Sequence, residues 1–231
     1  MSCFLYFCGV KLSNMRNWAI ILAGGTGVRA GGNQPKQLRL LPNGKTVLET
    51  CVDAFVGQVD AICVVIHSDY MAETRRLLAD RDVMVVAGGR ERWESSWNAL
   101  QALGEQEVNV LIHDAARPFV SSRIIADVCR ALEEHEAVTV AVPATDTLYR
   151  VANNCVADIP PRAEFMRAQT PQAFRLSLIR KAYEIALQDP DGVYATDDCG
   201  IVKRYLPEVP IYIVPGEENN KKLTYKEDFD L

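Results

Sequence analysis

The chain has 231 residues, 48% of them hydrophobic and 24% charged, with a formal net charge of -5. That length supports one α/β domain whose core needs neither disulfides nor a structural metal. The acidic balance argues against nucleic acid as a partner, because phosphate-backbone binders carry a basic surplus; a small anionic substrate needs only a local basic cluster.

Residues 2–10 are apolar but too few to span a bilayer, and no basic segment precedes them, so neither a membrane anchor nor a secretory signal is expected. Residues 1–14 read as a disordered extension ahead of a single domain over 15–231. Trp18–Leu22 reads as a buried strand running into a glycine turn. Val47, Leu48, Cys51, Val52, Phe55 and Val56 recur at helical spacing. Strands are predicted at Ala61–His67, Val83–Ala87, Val108–His113 and Ala137–Pro143, with helices near Met71–Ala79, Arg92–Leu103 and Ser122–His135 between them. Continuous apolar strands alternating with helices predict a mostly parallel sheet covered on both faces, with ligands at the strand C-terminal ends. From Thr145 to about Gln172 helical periodicity stops, and short β-like pieces (TLYRV, CVADI, MRAQT) alternate with turn residues, which predicts a protruding β-arm. A helix over 176–187, another over Val193–Tyr205 and a last strand at Ile211–Val214 complete the chain. The seven cysteines are odd in number and form no CxxC pair. They read as reduced thiols of a cytoplasmic protein.

Four segments at predicted strand ends can carry chemistry. The first is Ala23-Gly24-Gly25-Thr26-Gly27, followed by Arg29 and Lys36. Glycines let backbone N–H groups approach phosphates, and two cations stand close by. A dinucleotide fingerprint would need a helix immediately after Gly27, where Gly31, Gly32 and Pro35 break it. A P-loop ending at Gly44-Lys45-Thr46 would need glycine where Arg39 stands. The second is His113-Asp114-Ala115-Ala116-Arg117, in which Asp114 can serve a ribose hydroxyl or Mg²⁺ or be a turn residue paired with Arg117. His113 reads as a packed strand-end residue. The third is Gly88-Gly89 with Arg92 and Ser95, which share one helix face or form a solvated first turn. The fourth is Asn219-Asn220-Lys221-Lys222-Leu223-Thr224.

Taken in order, LAGGTGxR…PKQ, GGRERxxS, IHDAARP, TDT, RAQTPQAF, TDD and NNKKLT resemble the cytidylyltransferases that act on sugar-alcohol phosphates, over about Ala19 to Asp228. The resemblance implies a Rossmann-like α/β fold of the nucleotide-diphospho-sugar transferase type, and CTP with a polyol phosphate giving a CDP-polyol and pyrophosphate. It implies Arg29, Lys36 and Lys222 as the catalytic cations. It gives CTP contacts to Ala23, Gly24, Gly25, Thr26, Gly27, Gly88, Arg92, Ser95, Asp114 and Ala115. Arg117, Thr147, Arg162 and Thr196 would bind the polyol phosphate. Mg²⁺ would act near Asp114, and the arm over 145–172 would pair two subunits into a homodimer. Lys221 stands where the family has an apolar residue; Lys222 keeps the spacing to Leu223-Thr224. IHDAARP and RAQTPQAF resemble the methylerythritol phosphate enzymes. LAGGTG, Ala157–Glu164 and Thr196–Cys199 resemble the ribitol phosphate enzymes, and the place of the latter two near the second substrate favours D-ribitol 5-phosphate over 2-C-methyl-D-erythritol 4-phosphate as acceptor. An NAD-dependent dehydrogenase and a catalytically silent CTP-binding subunit are the readings outside this class.

Overall fold

A computed structural model describes residues 15–25 and 35–229. The expected extension over 1–14, and the candidate residues Thr26, Gly27 and Arg29, lie outside the described residues. In chain order the strands are β1 (Asn17–Leu22), β2 (Ala61–Ile66), β3 (Val83–Ala87), β4 (Asn109–Asp114), β5 (Ala137–Pro143), β6 (Arg150–Ala152), β7 (Cys155–Asp158), β8 (Met166–Arg175) and β9 (Tyr212–Pro215). The helices are α1 (Val47–Phe55), α2 (Met71–Leu77), α3 (Arg92–Ala102), α4 (Ser122–Ala131), α5 (Leu176–Ala186) and α6 (Asp198–Tyr205). Among the described residues no helix is long and apolar enough to cross a membrane.

Seven strands form one sheet in the order β3-β2-β1-β4-β8-β5-β9. Strand pleating explains why β1, β2 and β5 are almost continuously apolar: successive side chains point to opposite faces, and both faces are covered. On β1, Ala19 and Ile21 pack with Leu48 and Phe55 of α1 and Ile124 and Val128 of α4. Trp18 and Ile20 face the other way, against Leu100 of α3, Ile179 and Tyr183 of α5 and Val202 of α6. Polar caps set the helix starts. Thr46 caps α1 in a reciprocal capping box with Glu49, so Gly44-Lys45-Thr46 is a turn, with Gly44 at φ +77, leading into a helix cap rather than a phosphate loop.

Two expectations need correction. The MRAQT stretch is not part of the arm; it opens the ten-residue strand β8. That strand enters the main sheet antiparallel between β4 and β5. The disguise is Thr170-Pro171. Thr139 pairs with Gln172 and Val140 with Gln169, so Thr170 and Pro171 stand in a bulge opposite β5, which tolerates a residue that cannot donate to the ladder. The helix expected from Val193 starts at Asp198, because Asp197 is its N-cap and accepts a hydrogen bond from the Gly200 N–H at 2.8 Å.

The arm is the hairpin β6–β7. Its two-residue turn places Asn153 and Asn154 at φ 51 and 60, the left-handed conformation that asparagine tolerates in tight hairpins. All seven strand residues of the hairpin are exposed.

Candidate active site

The C-terminal ends of β1 and β4, the start of α3 and a segment near the C-terminus enclose a cleft of about 360 Å³. Its walls include Ala23, Gly24, Gly25, Lys36, Gly89, Arg92, Ser95, Asp114, Ala115 and Lys222. Neighbouring strands β1 and β4 run parallel in a register that pairs Leu22 with Asp114. The backbone turn after β1 therefore faces the carboxylate at the end of β4. Gln37 clips this turn by donating its side-chain amide to the carbonyls of Ala23 and Gly25.

On the α3 side, Ser95 Oγ accepts the Gly89 N–H at 3.1 Å and donates to the Glu91 carbonyl at 3.3 Å. Ser95 is buried; the first turn of α3 is an ordered wall of the cleft. Space there is tight. A Cβ on Gly88 would stand 3.1 Å from Ser95 Oγ, and one on Gly89 would overlap Glu94 at 2.2 Å. Gly89, rather than Gly88, lines the cleft.

Asp114 is the electrostatic centre. Its Oδ2 accepts from Lys222 Nζ at 2.6 Å and its Oδ1 from Arg92 Nε at 3.3 Å. Burial would raise this carboxyl, but the Arg92 and Lys222 charges outweigh it and hold the group well below the usual carboxylate range. Below Asp114 the sheet is wired. The Asp114 N–H donates to Thr170 Oγ1 at 3.1 Å, and Thr170 Oγ1 lies 3.0 Å from His113 Nδ1. The Arg117 carbonyl can only accept, so the neutral His113 carries its proton on Nε2 and donates to it at 3.0 Å, which leaves Nδ1 to accept from the Thr170 hydroxyl. Burial pushes the His113 imidazole down to about 4 against the pull of the Arg117 carbonyl and the Asp114 charge. It is a neutral strut at ordinary pH. The bulge at Thr170 is what aims that hydroxyl at the site.

The C-terminal segment is held by partners from across the chain. Arg117 Nη1 donates to the Asn220 carbonyl at 2.7 Å, Asn220 Nδ2 donates to the Thr170 carbonyl at 2.8 Å, and Leu223 N–H donates to the Ala116 carbonyl at 2.8 Å. Lys36 Nζ donates to the Leu223 carbonyl at 3.1 Å. Leu223 and Phe229 pack with Leu41 and Val47, and the Arg39 guanidinium lies 4.3 Å from the Phe229 ring centre. These contacts carry Lys222 into the cleft, while Lys221 is exposed and not among its walls.

Besides Gly88, four sequence candidates do not line this cleft. The Arg117 guanidinium is spent on the carbonyls of Asn220 and Ala168; it does not ion-pair with Asp114. Arg162 donates to the Thr145 carbonyl at 2.7 Å, and Thr147 and Thr196 are exposed. Sequence reasoning missed Gln37, Thr170 and Asp198 as parts of the site. Their residue types were visible, but their partners are 12 to 106 positions away. The five described cysteines are free; burial raises the Cys63 thiol to about 12 and the Cys129 thiol to about 11, so both are inert packing groups.

Among the described residues no group of three or more His, Cys, Asp and Glu could hold a metal ion. Mg²⁺ needs no such cage: it is held by one or two carboxylates together with substrate phosphates and water. The Asp114 carboxylate facing a cationic cleft fits that mode.

A mostly parallel sheet with a glycine turn, Lys36, Lys222, Arg92 and Asp114 gathered at its strand ends fits the nucleotidyltransferase class. Within that class the chain belongs to the family described as IspD, 2-C-methyl-D-erythritol 4-phosphate cytidylyltransferase, which matches residues 18–231. It is 46% identical to the 2-C-methyl-D-erythritol 4-phosphate cytidylyltransferase of Thermobifida fusca over 91% of this chain and 89% of that protein. It is 38% identical to a bifunctional ribulose 5-phosphate reductase/CDP-ribitol pyrophosphorylase of Haemophilus influenzae, over 92% of this chain and 46% of that protein. The fold matches the crystal structure of 4-diphosphocytidyl-2C-methyl-D-erythritol synthase from Anaerococcus prevotii with a TM-score of 0.82 and 30% identity, covering 94% and 95% of the two chains. The chain is a cytidylyltransferase. The ribitol phosphate preference drawn from Ala157–Glu164 and Thr196–Cys199 is less supported than the methylerythritol phosphate alternative. In this chain Ala157, Asp158, Arg162 and Thr196 are at the surface and outside the cleft.

Proposed function

We propose that this enzyme transfers the cytidylyl group of CTP to 2-C-methyl-D-erythritol 4-phosphate, releasing pyrophosphate. The observation that carries the acceptor is the 46% identity to a methylerythritol phosphate enzyme over nearly the whole of both chains. The geometry supports the chemistry. The attacking group is a phosphate oxygen, ionised at neutral pH, so no general base is required and the work falls to positioning and electrostatics.

In this reading the Gly24-Gly25 backbone approaches the triphosphate. Lys36 and Lys222 stabilise charge developing at the α-phosphorus, together with Arg29. Ser95 and the Gly88-Gly89 turn read cytosine, and Arg92 and Ala115 complete the nucleotide contacts. Mg²⁺, when bound with the triphosphate, would supply charge neutralisation, with Asp114 as its carboxylate. Lys222 now rests on Asp114; an arriving phosphate offers it a second anionic partner, and the Asp114 carboxylate is then available to the ion. Thr147, Arg162 and Thr196 bind the acceptor from the arm and the turn before α6. Because the arm is exposed, these contacts are completed when two copies pair as a homodimer. The reduced thiols and the soluble substrates suit a cytoplasmic enzyme.

The test is pyrophosphate release with Mg²⁺ and CTP, run in parallel with 2-C-methyl-D-erythritol 4-phosphate and D-ribitol 5-phosphate. Turnover is expected with the first. Turnover with ribitol 5-phosphate alone would overturn the acceptor, and turnover only with another nucleoside triphosphate would overturn the cytidylyl donor.

A further inference from the structure

Asp198 is fully buried and does not line the cleft, yet it is wired to it. The helix α6 does not need it as a cap, since Asp197 performs that role. Burying a carboxylate is unfavourable unless it is paired and hydrogen-bonded. Asp198 meets both conditions. Its Oδ2 accepts from Arg92 Nη1 at 2.6 Å, and its Oδ1 accepts from the Tyr183 hydroxyl on α5 at 2.7 Å. Gln172 on β8 fixes the backbone beneath it, accepting the N–H groups of Asp198 and Cys199 at 3.0 and 3.2 Å and donating to Asp197 Oδ2 at 2.6 Å. Two helices and a central strand thus lock one carboxylate in place, aimed at one guanidinium.

That guanidinium is shared. Arg92 bonds Asp198 through Nη1 and Asp114 through Nε, so one planar group spans from an interior acid to the acid of the cleft. Arginine has many rotamers and a strong tendency to pair with carboxylates in a fork. With Asp114 as its only acid, Arg92 would be free to close over it, covering the carboxylate and the nucleotide wall together. A second, immobile acid behind it holds the side chain back.

We infer that Asp198 is a positioning residue for the nucleotide: anchored by Tyr183 and Gln172, it sets the rotamer of Arg92 and so keeps Arg92 and Asp114 presented to CTP. This rests on the reading of Arg92 as a nucleotide contact.

The experiment is steady-state pyrophosphate release by the full chain with CTP, Mg²⁺ and saturating 2-C-methyl-D-erythritol 4-phosphate, for Asp198→Asn, Arg92→Gln, the double variant and Tyr183→Phe, with thermal melts alongside. D198N and R92Q are each expected to raise KM for CTP about tenfold with kcat within about threefold, the pattern of lost uniform binding. The double variant is expected to match R92Q, because residues acting through one another are not additive. Y183F should shift KM in the same direction by about two- to threefold. A raised KM in R92Q with a normal KM in D198N overturns the positioning role alone. So does a multiplied effect of about a hundredfold in the double variant, or a lower melting temperature in D198N with KM unchanged. A normal KM in R92Q overturns the nucleotide contact and the positioning role together. Where D198N yields no folded protein, Y183F carries the test, and an unchanged KM in Y183F then overturns the inference.

Discussion

In the cleft, charged groups are held by partners distant in sequence: Lys222 by Asp114, Arg92 by Asp198, Lys36 by the carbonyl of Leu223. In the arm, the hairpin β6–β7 forms a sheet of its own, with Val151 at 61% and Val156 at 53% exposure. The first region is ordered by the chain itself. The second presents apolar side chains and a candidate acceptor arginine, Arg162, to whatever lies outside. The difference separates two tasks. In the proposed reading, a nucleotide site that must stabilise developing charge is preorganised within one chain, whereas the acceptor contacts are carried on an exposed element that a second copy would bury.

Four predictions bear on this contrast. The largest effect belongs to the cleft. Lys36→Ala or Lys222→Ala should each lower kcat by about 10²-fold or more, the loss of one preorganised cation, as should Arg29→Ala; an unchanged kcat in either lysine variant would remove the cleft from the chemistry. Next comes the strut beneath it. The buried His113 has its pKa lowered to about 4, so between that value and its unfolded value of about 6.5 only the unfolded chain takes up the proton. The stability this contributes is fully present above about pH 6.5 and is lost as pH falls toward 4. Urea titrations at pH 7 and 5 should show wild type losing about 2 kcal/mol more than His113→Gln. Equal losses would mean that His113 is not a buried neutral imidazole.

The arm should behave differently. Arg162→Ala is expected to raise KM for the acceptor about tenfold and leave KM for CTP within about twofold; a change in the CTP value instead would place Arg162 with the nucleotide. The smallest effect is on stability. Val151→Ser and Val156→Ser should shift the unfolding free energy of the chain by less than about 0.5 kcal/mol, as exposed substitutions do, while sedimentation shows weaker self-association. Unaltered self-association would detach the arm from dimer formation.

Much of this was legible in the residues. Apolar runs located β1 to β5, because strands covered on both faces carry little polar interruption. The cations and the carboxylate of the cleft stood out by type and by position after strands. What the sequence hid has a common cause. β8 was concealed by Thr170-Pro171, which reads as a turn but is a bulge inside a central strand. Gln37, Thr170 and Asp198 carry no local signature, since their roles are set by partners that only the folded sheet brings near. Thr147 and Arg162 were legible as part of an arm, and in the proposed homodimer the copy they serve depends on the pairing of two chains, which no local pattern encodes.

The division between cleft and arm is tested most directly by complementation. Lys222→Ala and Arg162→Ala chains are co-expressed, and pyrophosphate release from CTP and 2-C-methyl-D-erythritol 4-phosphate, at an acceptor concentration well below its wild-type KM so that each parent is impaired alone, is compared with that of each parent. If one copy supplies the cleft and its partner the arm, mixed dimers hold one intact site, and random pairing restores roughly a quarter of wild-type activity. Activity no higher than the average of the two parents, in a preparation shown to contain mixed dimers, would contradict it and place both tasks in a single chain.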